Sequence, residues 1–412
     1  MSRDREFRIA VRKYGPFESA IRKQWDRFES ENRTGFVLKL EAFDLDDLTA
    51  TLFDKKGLER GQWDVAFINT DWIAAVHRSG CVVDLGPLLE SAPPEEFPDG
   101  WAPSLLRLQN VNGFVAGVPY HDGPECMIFR KDLFEEPSEQ RAYEAQFGTA
   151  LRPPKTWQEF RQVATFFQRP EAGLYGTVFA AYPDGHNTVY DFLLQLWSRG
   201  GRMFERTGEI QFKSDTACAG LEFYRSMLRD NAAIHPDSRA MDSVKSGLAF
   251  AAGEVATMVN WFGFATMCET VADSKVKGCV DIAHVPYEEP GGPTSLNVYW
   301  LLAIGSGSPH RDLAYEFLRH CMKPEMDKLL TLEGAIGCRT STWLNPEVNR
   351  LIPFYNQLPH LHENARELPR SPEWPRIAKL IDEVVIETIQ TDRPIASILT
   401  NVQAKAEGLS FL

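Results

Sequence analysis

Long hydrophobic runs, paired cysteines and an excess of basic charge are all missing from this sequence, and each absence removes a class of function. No apolar stretch approaches the roughly 18 residues of a membrane-spanning helix. Lysine and arginine total 44 against 57 aspartates and glutamates, a net charge of −13. Nucleic acid needs a basic face, so it is excluded as a partner, and an anionic membrane surface is disfavoured for the same reason. The seven cysteines (Cys81, Cys126, Cys218, Cys268, Cys279, Cys321 and Cys338) form no CxxC pair. A zinc site is therefore not expected, and no other metal or cofactor is called for. The odd number leaves at least one cysteine without an intrachain partner. Apolar neighbours, such as the AGLEF run after Cys218, mark most of them as small buried hydrophobes, with a Cys268–Cys279 disulfide as the alternative. There is no GxSxG elbow, no HExxH helix and no P-loop, and no spacing singles out a pair of catalytic carboxylates. No catalytic residue is assigned.

What is present is length and alternation. A chain of 412 residues exceeds one hydrophobic core and has room for two large lobes. The apolar fraction of 43% and charged fraction of 25% are those of an ordinary globular protein. The opening MSRDREFRIAV enters a strand at once, without the n- and h-regions of a signal peptide. That fits a cytoplasmic chain, or a mature exported chain given a start Met. Short apolar strands at Phe7–Val11, Phe36–Phe43 and Trp63–Ile68 alternate with helical segments, the signature of a parallel α/β sheet. Ligands of such sheets bind beyond the carboxyl ends of the strands. Those ends carry Lys13-Tyr14, Asp44 and Asn69-Thr70-Asp71.

One segment, Asn112–Phe160, has a different character. A strand ends at Pro119, a Gly- and Pro-containing passage follows, and a second strand occupies Cys126–Phe129. Pro153-Pro154 then stops the chain, and Thr156 with Glu159 three residues on makes a capping-box pattern that opens a helix. Such a segment can leave one lobe and start another. A second extended passage, Val280–Tyr287, pairs with it, so the lobes are expected to be discontinuous in sequence.

Four blocks then resemble one family. GFVAGVPYHDGPECMIFRKDLF has its Gly-containing strand, crossing and aromatic-Asn-Lys-Asp-Leu, with Arg130 where Asn is usual. PPKTWQEF is nearly identical to the family form. FAAGEVATMVNWFG matches Phe-x-x-Gly-x-Ala-x-Met, with Ala256 and Met258 each one place late, and LLAIGSGSPHRDLAYEFLRH supplies a strand and helix. The chain resembles the extracellular solute-binding proteins of ABC importers, the family of maltose-binding protein and other sugar receptors. The resemblance implies an α/β, periplasmic-binding-protein type II fold, with two α/β lobes joined by hinge strands that close on ligand. One lobe would hold 1–120 plus 286–330, the other 126–280 plus 331–412, with crossings at 121–125 and 283–286. It also implies a monomer that binds a small solute, most simply a sugar, and docks on the membrane permease subunits of an importer. Its location would be periplasmic or extracellular.

Sugar recognition needs flat rings for C–H faces and bidentate polar groups for hydroxyls. In the first lobe the candidates are Tyr14, Asp44, Asn69 and Asp71 at strand ends; the alternatives are edge packing for Tyr14 and helix caps for the others. His121 and Glu125 sit in the crossing, where polar groups either touch ligand or form a solvated hinge. Tyr182, His186 and Asn187 follow a second-lobe strand. Asn260 and Trp261 end the third block, where an aromatic commonly stacks on sugar in the family it resembles. Trp300 begins the fourth block's strand and faces either ligand or core. Arg339 is a candidate anchor for an anionic group, against a surface ion pair. Two other readings compete with the receptor: a carbohydrate-active enzyme, and a cytoplasmic sensor on the same fold.

Overall fold

Two main sheets, one of five strands and one of four, divide the chain. The computed structural model describes residues 5–204, 208–371 and 373–409; the charged start at 1–4, residues 205–207, residue 372 and the last three residues lie outside the described set. The first unit comprises Met1–Gly123 and Val298–Asn356, the second Pro124–Asn297 and Gln357–Leu412.

The first unit's sheet runs in the order Val37–Phe43, Glu6–Arg12, Val65–Asn69, Trp300–Ile304, Val118–His121. The first three strands are parallel, as their separation by helices requires. Trp300–Ile304 is antiparallel to both neighbours, so the sheet is mixed rather than parallel throughout. Helix Gly15–Asn32 covers one face. Phe17, Ile21, Trp25 and Phe28 are buried on it at helical spacing, and Trp25 stacks on Phe7 of the first strand at 4.8 Å. The helix ends at Arg33, whose φ of 52° is the left-handed cap.

The second unit's main sheet has the order Val280–Ala283, Glu125–Arg130, Val255–Trp261, Tyr175–Val178. The capping box forms as the sequence indicates. Thr156 Oγ1 accepts from the Glu159 N–H at 3.1 Å, and the Glu159 carboxylate accepts from the Thr156 N–H at 3.3 Å. The helix it opens, Trp157–Phe167, lays Phe160, Val163, Ala164 and Phe167 against the sheet. All seven cysteines are free, so Cys268 and Cys279 are not bridged.

The unit boundaries differ from the sequence expectation in two places. The chain changes unit after Asn297, not at 283–286. Val280–Ala283 is held in the second unit by antiparallel pairing with Glu125–Arg130, and Ser295–Asn297 by parallel pairing with Ala365–Glu367. The chain returns to the second unit after Asn356, not after residue 330. The buried Asp327 carboxylate accepts from the Cys338 N–H at 2.7 Å and the Arg339 N–H at 3.2 Å, tying 331–356 to helix Pro324–Leu332 of the first unit.

Helix Trp157–Phe167 approaches its strand at Gly176, where a Cβ would stand 1.8 Å from the Ala164 carbonyl oxygen. No rotamer relieves a clash with backbone. Gly176→Ala is therefore expected to cost about 3 kcal/mol of second-unit stability, read as a lower urea midpoint by circular dichroism. An unchanged midpoint would show that the helix can move off the strand at no cost.

Candidate functional site

Strand register brings the first unit's candidates to one sheet edge. Trp300 stands opposite Asn69 on one side and His121 on the other. Arg12 pairs with Phe43, which sets Tyr14 and Asp44 just beyond the same edge. The Trp300 indole meets Trp72 edge-on at 5.6 Å, with Phe67 behind it at 5.9 Å. Half-buried, it belongs partly to the core and partly to the edge. Asn69 is a cap: its Oδ1 accepts from the Asp71 N–H at 3.2 Å. Asp44 occupies an N-cap position without a side-chain cap bond. Its exposed carboxylate instead lies 3.2 Å from Arg12 and 3.8 Å from Lys13. Tyr14 is mainly packing, with its ring on Phe17 at 4.9 Å and its hydroxyl donating to the Gly334 carbonyl at 3.2 Å.

His121 ends a strand of the first unit rather than lying in a free hinge. Its Nδ1 accepts from the Ile336 N–H at 2.9 Å, which places the ring proton on Nε2. Burial carries its pKa down to about 3, against the opposing charge of Asp122. The ring is therefore a neutral donor at any ordinary pH.

Arg339 is no anchor for an incoming anion, nor is it on the surface. It is fully buried. Its guanidinium pairs with Glu96, donates to the Glu95 and Met322 carbonyls at 3.0 Å each, and lies 4.5 Å from the Trp101 ring centroid. Every one of these partners is in the first unit, where the cation staples remote segments together.

The second unit gathers its own set. Glu125 pairs in register with Trp261. Tyr182 follows the parallel strand Tyr175–Val178 at the same edge, and the helix Asn187–Trp197 starts there. Trp261 is half-buried and meets Tyr190 edge-on at 5.6 Å, and Tyr190 meets His186 at 5.8 Å. Tyr182 is largely exposed, with the Lys245 ammonium 5.9 Å from its ring. Asn187 is engaged locally: the Asp184 carboxylate accepts from its backbone N–H at 2.8 Å, from its amide, and from the His186 N–H at 2.9 Å. Asn260 is spent internally. Its Nδ2 donates to Ser243 O at 3.1 Å and Ser246 Oγ at 3.0 Å, and its Oδ1 accepts from the Trp261 N–H at 2.8 Å. It shapes the strand end that presents Trp261.

The sequence reading passed over Asp191. It lies within the apolar run Val189–Trp197, and that acidic interruption of a core helix was its signal. Its carboxylate accepts from the Tyr224 hydroxyl at 2.6 Å. Burial, with the nearby charge of Asp184, lifts its pKa to about 7 despite that bond. Burial and the charge of Asp191 push the Glu125 carboxyl well above its usual range. The two acids and the rings of Trp261 and Tyr190 suit a neutral, many-hydroxyl solute better than an anion. Among the described residues, no cluster of three or more His, Cys, Asp or Glu could hold a metal ion. A cavity of about 540 Å³ in the second unit, bordered by Pro154, His284, Tyr287 and His360, shares no lining residue with this set. The convergent acids and rings, rather than volume, identify the candidate site.

The profile of the bacterial extracellular solute-binding proteins matches residues 23–352. The chain belongs to this family. A mannitol-binding protein of Pseudomonas aeruginosa is 24% identical over 320 residues, which span 76% of this chain and 69% of that protein. Among solved structures, an ABC transporter solute-binding protein of Agrobacterium radiobacter K84 in complex with ribitol superposes with a TM-score of 0.85 at 23% identity, covering 98% of both chains. One of Agrobacterium vitis S4 with bound D-mannitol gives 0.84 at 19% identity, covering 98% of this chain and 97% of that one. Maltose-bound MalE3 of T. maritima gives 0.85 at 19% identity, covering 98% and 99%. The fold is thus the periplasmic-binding-protein type II fold, two α/β units, as the sequence blocks imply. No helix among the described residues is long and apolar enough to cross a membrane.

Because the folded pKa of Asp191 lies above its value in an unfolded chain, its protonated form stabilises the fold at low pH. That contribution is lost as pH rises from about 4 to about 7. Asp191→Asn keeps an acceptor for Tyr224 and removes the titration. The difference in Tm between this variant and the parent is expected to grow in the variant's favour across that interval in a pH series of thermal melts. A constant difference would place the titration elsewhere.

Proposed function

We propose that this protein is a non-catalytic receptor for a linear polyol or small neutral sugar, serving the membrane permease of an ABC importer outside the cytoplasm. The observation that carries this reading is the register that sets Glu125 opposite Trp261, with the Trp261 ring on Tyr190 and the Asp191 carboxyl close by. An aromatic face beside a buried and a half-buried carboxyl offers C–H stacking and hydroxyl hydrogen bonds together. The first unit presents a parallel set, the half-buried Trp300 on Trp72 with Asp71 and the neutral His121 at the same edge. Relatives described as binding mannitol and ribitol support a polyol, and the maltose-bound structure keeps a small oligosaccharide in view. The family is one of receptors, and the mutual proximity of Glu125 and Asp191 serves binding without any step of bond cleavage.

Thermal shift against D-mannitol, ribitol, D-tagatose and maltose tests the reading. A ligand that binds only the native state raises Tm progressively with its concentration. Trp261→Ala is expected to weaken the best of these ligands about tenfold by calorimetry, the loss of one stacked ring. A panel of neutral sugars and polyols that leaves Tm unmoved would defeat the proposal.

A further inference from the structure

The chain changes unit immediately before Pro124 and immediately after Asn297, and buried polar groups without partners stand at both points. Asn297 is 2% exposed, yet neither its Nδ2 nor its Oδ1 has a hydrogen-bond partner; the same holds for Glu125 Oε2 and Thr294 Oγ1. Buried amides and carboxyls are ordinarily satisfied, because leaving them bare costs stability. The three residues belong to one neighbourhood. Ser295 Oγ donates to the Glu125 carbonyl at 2.5 Å, and strand periodicity puts Asn297 on the face that carries Ser295. Among the described residues, neither Glu125 nor its neighbour Asp191 has an ion-pair partner.

We infer that Asn297 and Glu125 are a hydroxyl-reading pair that selects a neutral vicinal diol. The Asn297 amide has one donor side and one acceptor side open together, which match two adjacent hydroxyls, one accepting and one donating. Glu125 Oε2 supplies a further hydrogen-bond position. Neither acid has a cationic partner among the described residues, so this neighbourhood offers no charge to pair with an anionic solute. This inference deepens the polyol reading and rests on it for the identity of the ligand.

The test has an arm that needs no ligand. If these groups are reserved for solute, replacing them with apolar groups of similar shape removes an unmet polar group from the empty protein. Asn297→Leu and Glu125→Met are each expected to raise the Tm of the ligand-free protein by about 2–4 °C. Each is also expected to weaken D-mannitol binding about tenfold, as is the smaller Asn297→Ala, which carries no steric load. Lower Tm in both apolar variants would show that buried water satisfies these groups, and would overturn the inference. Unchanged mannitol affinity in Asn297→Ala would overturn it as well. Tighter binding of 1-amino-1-deoxysorbitol than of mannitol would replace the neutral class with a cationic one. A parent protein that binds no polyol would sink the proposed function, while the ligand-free melting arm would still decide the role of the pair.

Discussion

Strand Trp300–Ile304 is the piece on which the first unit depends. It lies between Val65–Asn69 and Val118–His121 and is antiparallel to both. The two neighbours, whose Phe67 and Tyr120 rings touch at 5.2 Å, are therefore joined in the sheet's hydrogen bonding through a segment made some 180 residues after the later of them (121 to 300). Its register also decides chemistry. Because side chains alternate along a strand, a slip of one residue would turn Trp300 away from its edge and reverse every buried side chain of the strand. Leu301, Leu302, Ala303 and Ile304 are all fully buried, so both faces of this strand resist such a slip. The position of Trp300 beside Asn69 is thus inherited from packing, while its place opposite His121 also depends on a local register shift between Trp300 and Leu301.

Buried polar groups in this protein are met to different degrees. Asp327 and Arg339 are both buried, and both are met by several partners. Burying charge is tolerable only with such partners, and of the Arg339 guanidinium only Nε is left unmet. Glu125 and Asn297 are buried as deeply and are met at fewer atoms. Unmet buried atoms also occur elsewhere, at Trp63, Thr266 and His320 among others, so it is the joining of the Glu125 and Ser295–Asn297 segments, with Trp261 opposite Glu125, that supports the proposed recognition role.

Much of this was legible in the sequence, and the failures have physical causes. The capping box at Thr156 and Glu159 is a local interaction over three residues, so pattern alone located it. The strand-end positions Tyr14, Asp44, Asn69, Asp71 and Trp261 followed from alternation, since a parallel strand's end is visible where apolar residues stop. The second change of unit was hidden, because Val280–Ala283 is extended whichever unit it joins. What holds it is Met127–Arg130, about 150 residues earlier, and pairing partners leave no local mark. Arg339 was misread for the same reason: the carboxylate that claims it, Glu96, lies 243 residues away in the chain. Asn297 carried no signal, as one asparagine before an apolar strand is ordinary. Only its burial without partners makes it notable.

The placement of Glu125 and Asn297 gives these unmet groups a second consequence. Asn297 is the last residue before the chain leaves the second unit, and Glu125 is the second after it enters. An unsatisfied group destabilises its immediate neighbourhood most, since local opening is the cheapest way to hydrate it. The segments around residues 124 and 297 should therefore be where the ligand-free protein is softest. A solute that satisfies these groups removes that incentive to open, and its binding stiffens the passages through which the chain runs. Recognition and ordering are then one event, produced by the same few hydrogen bonds.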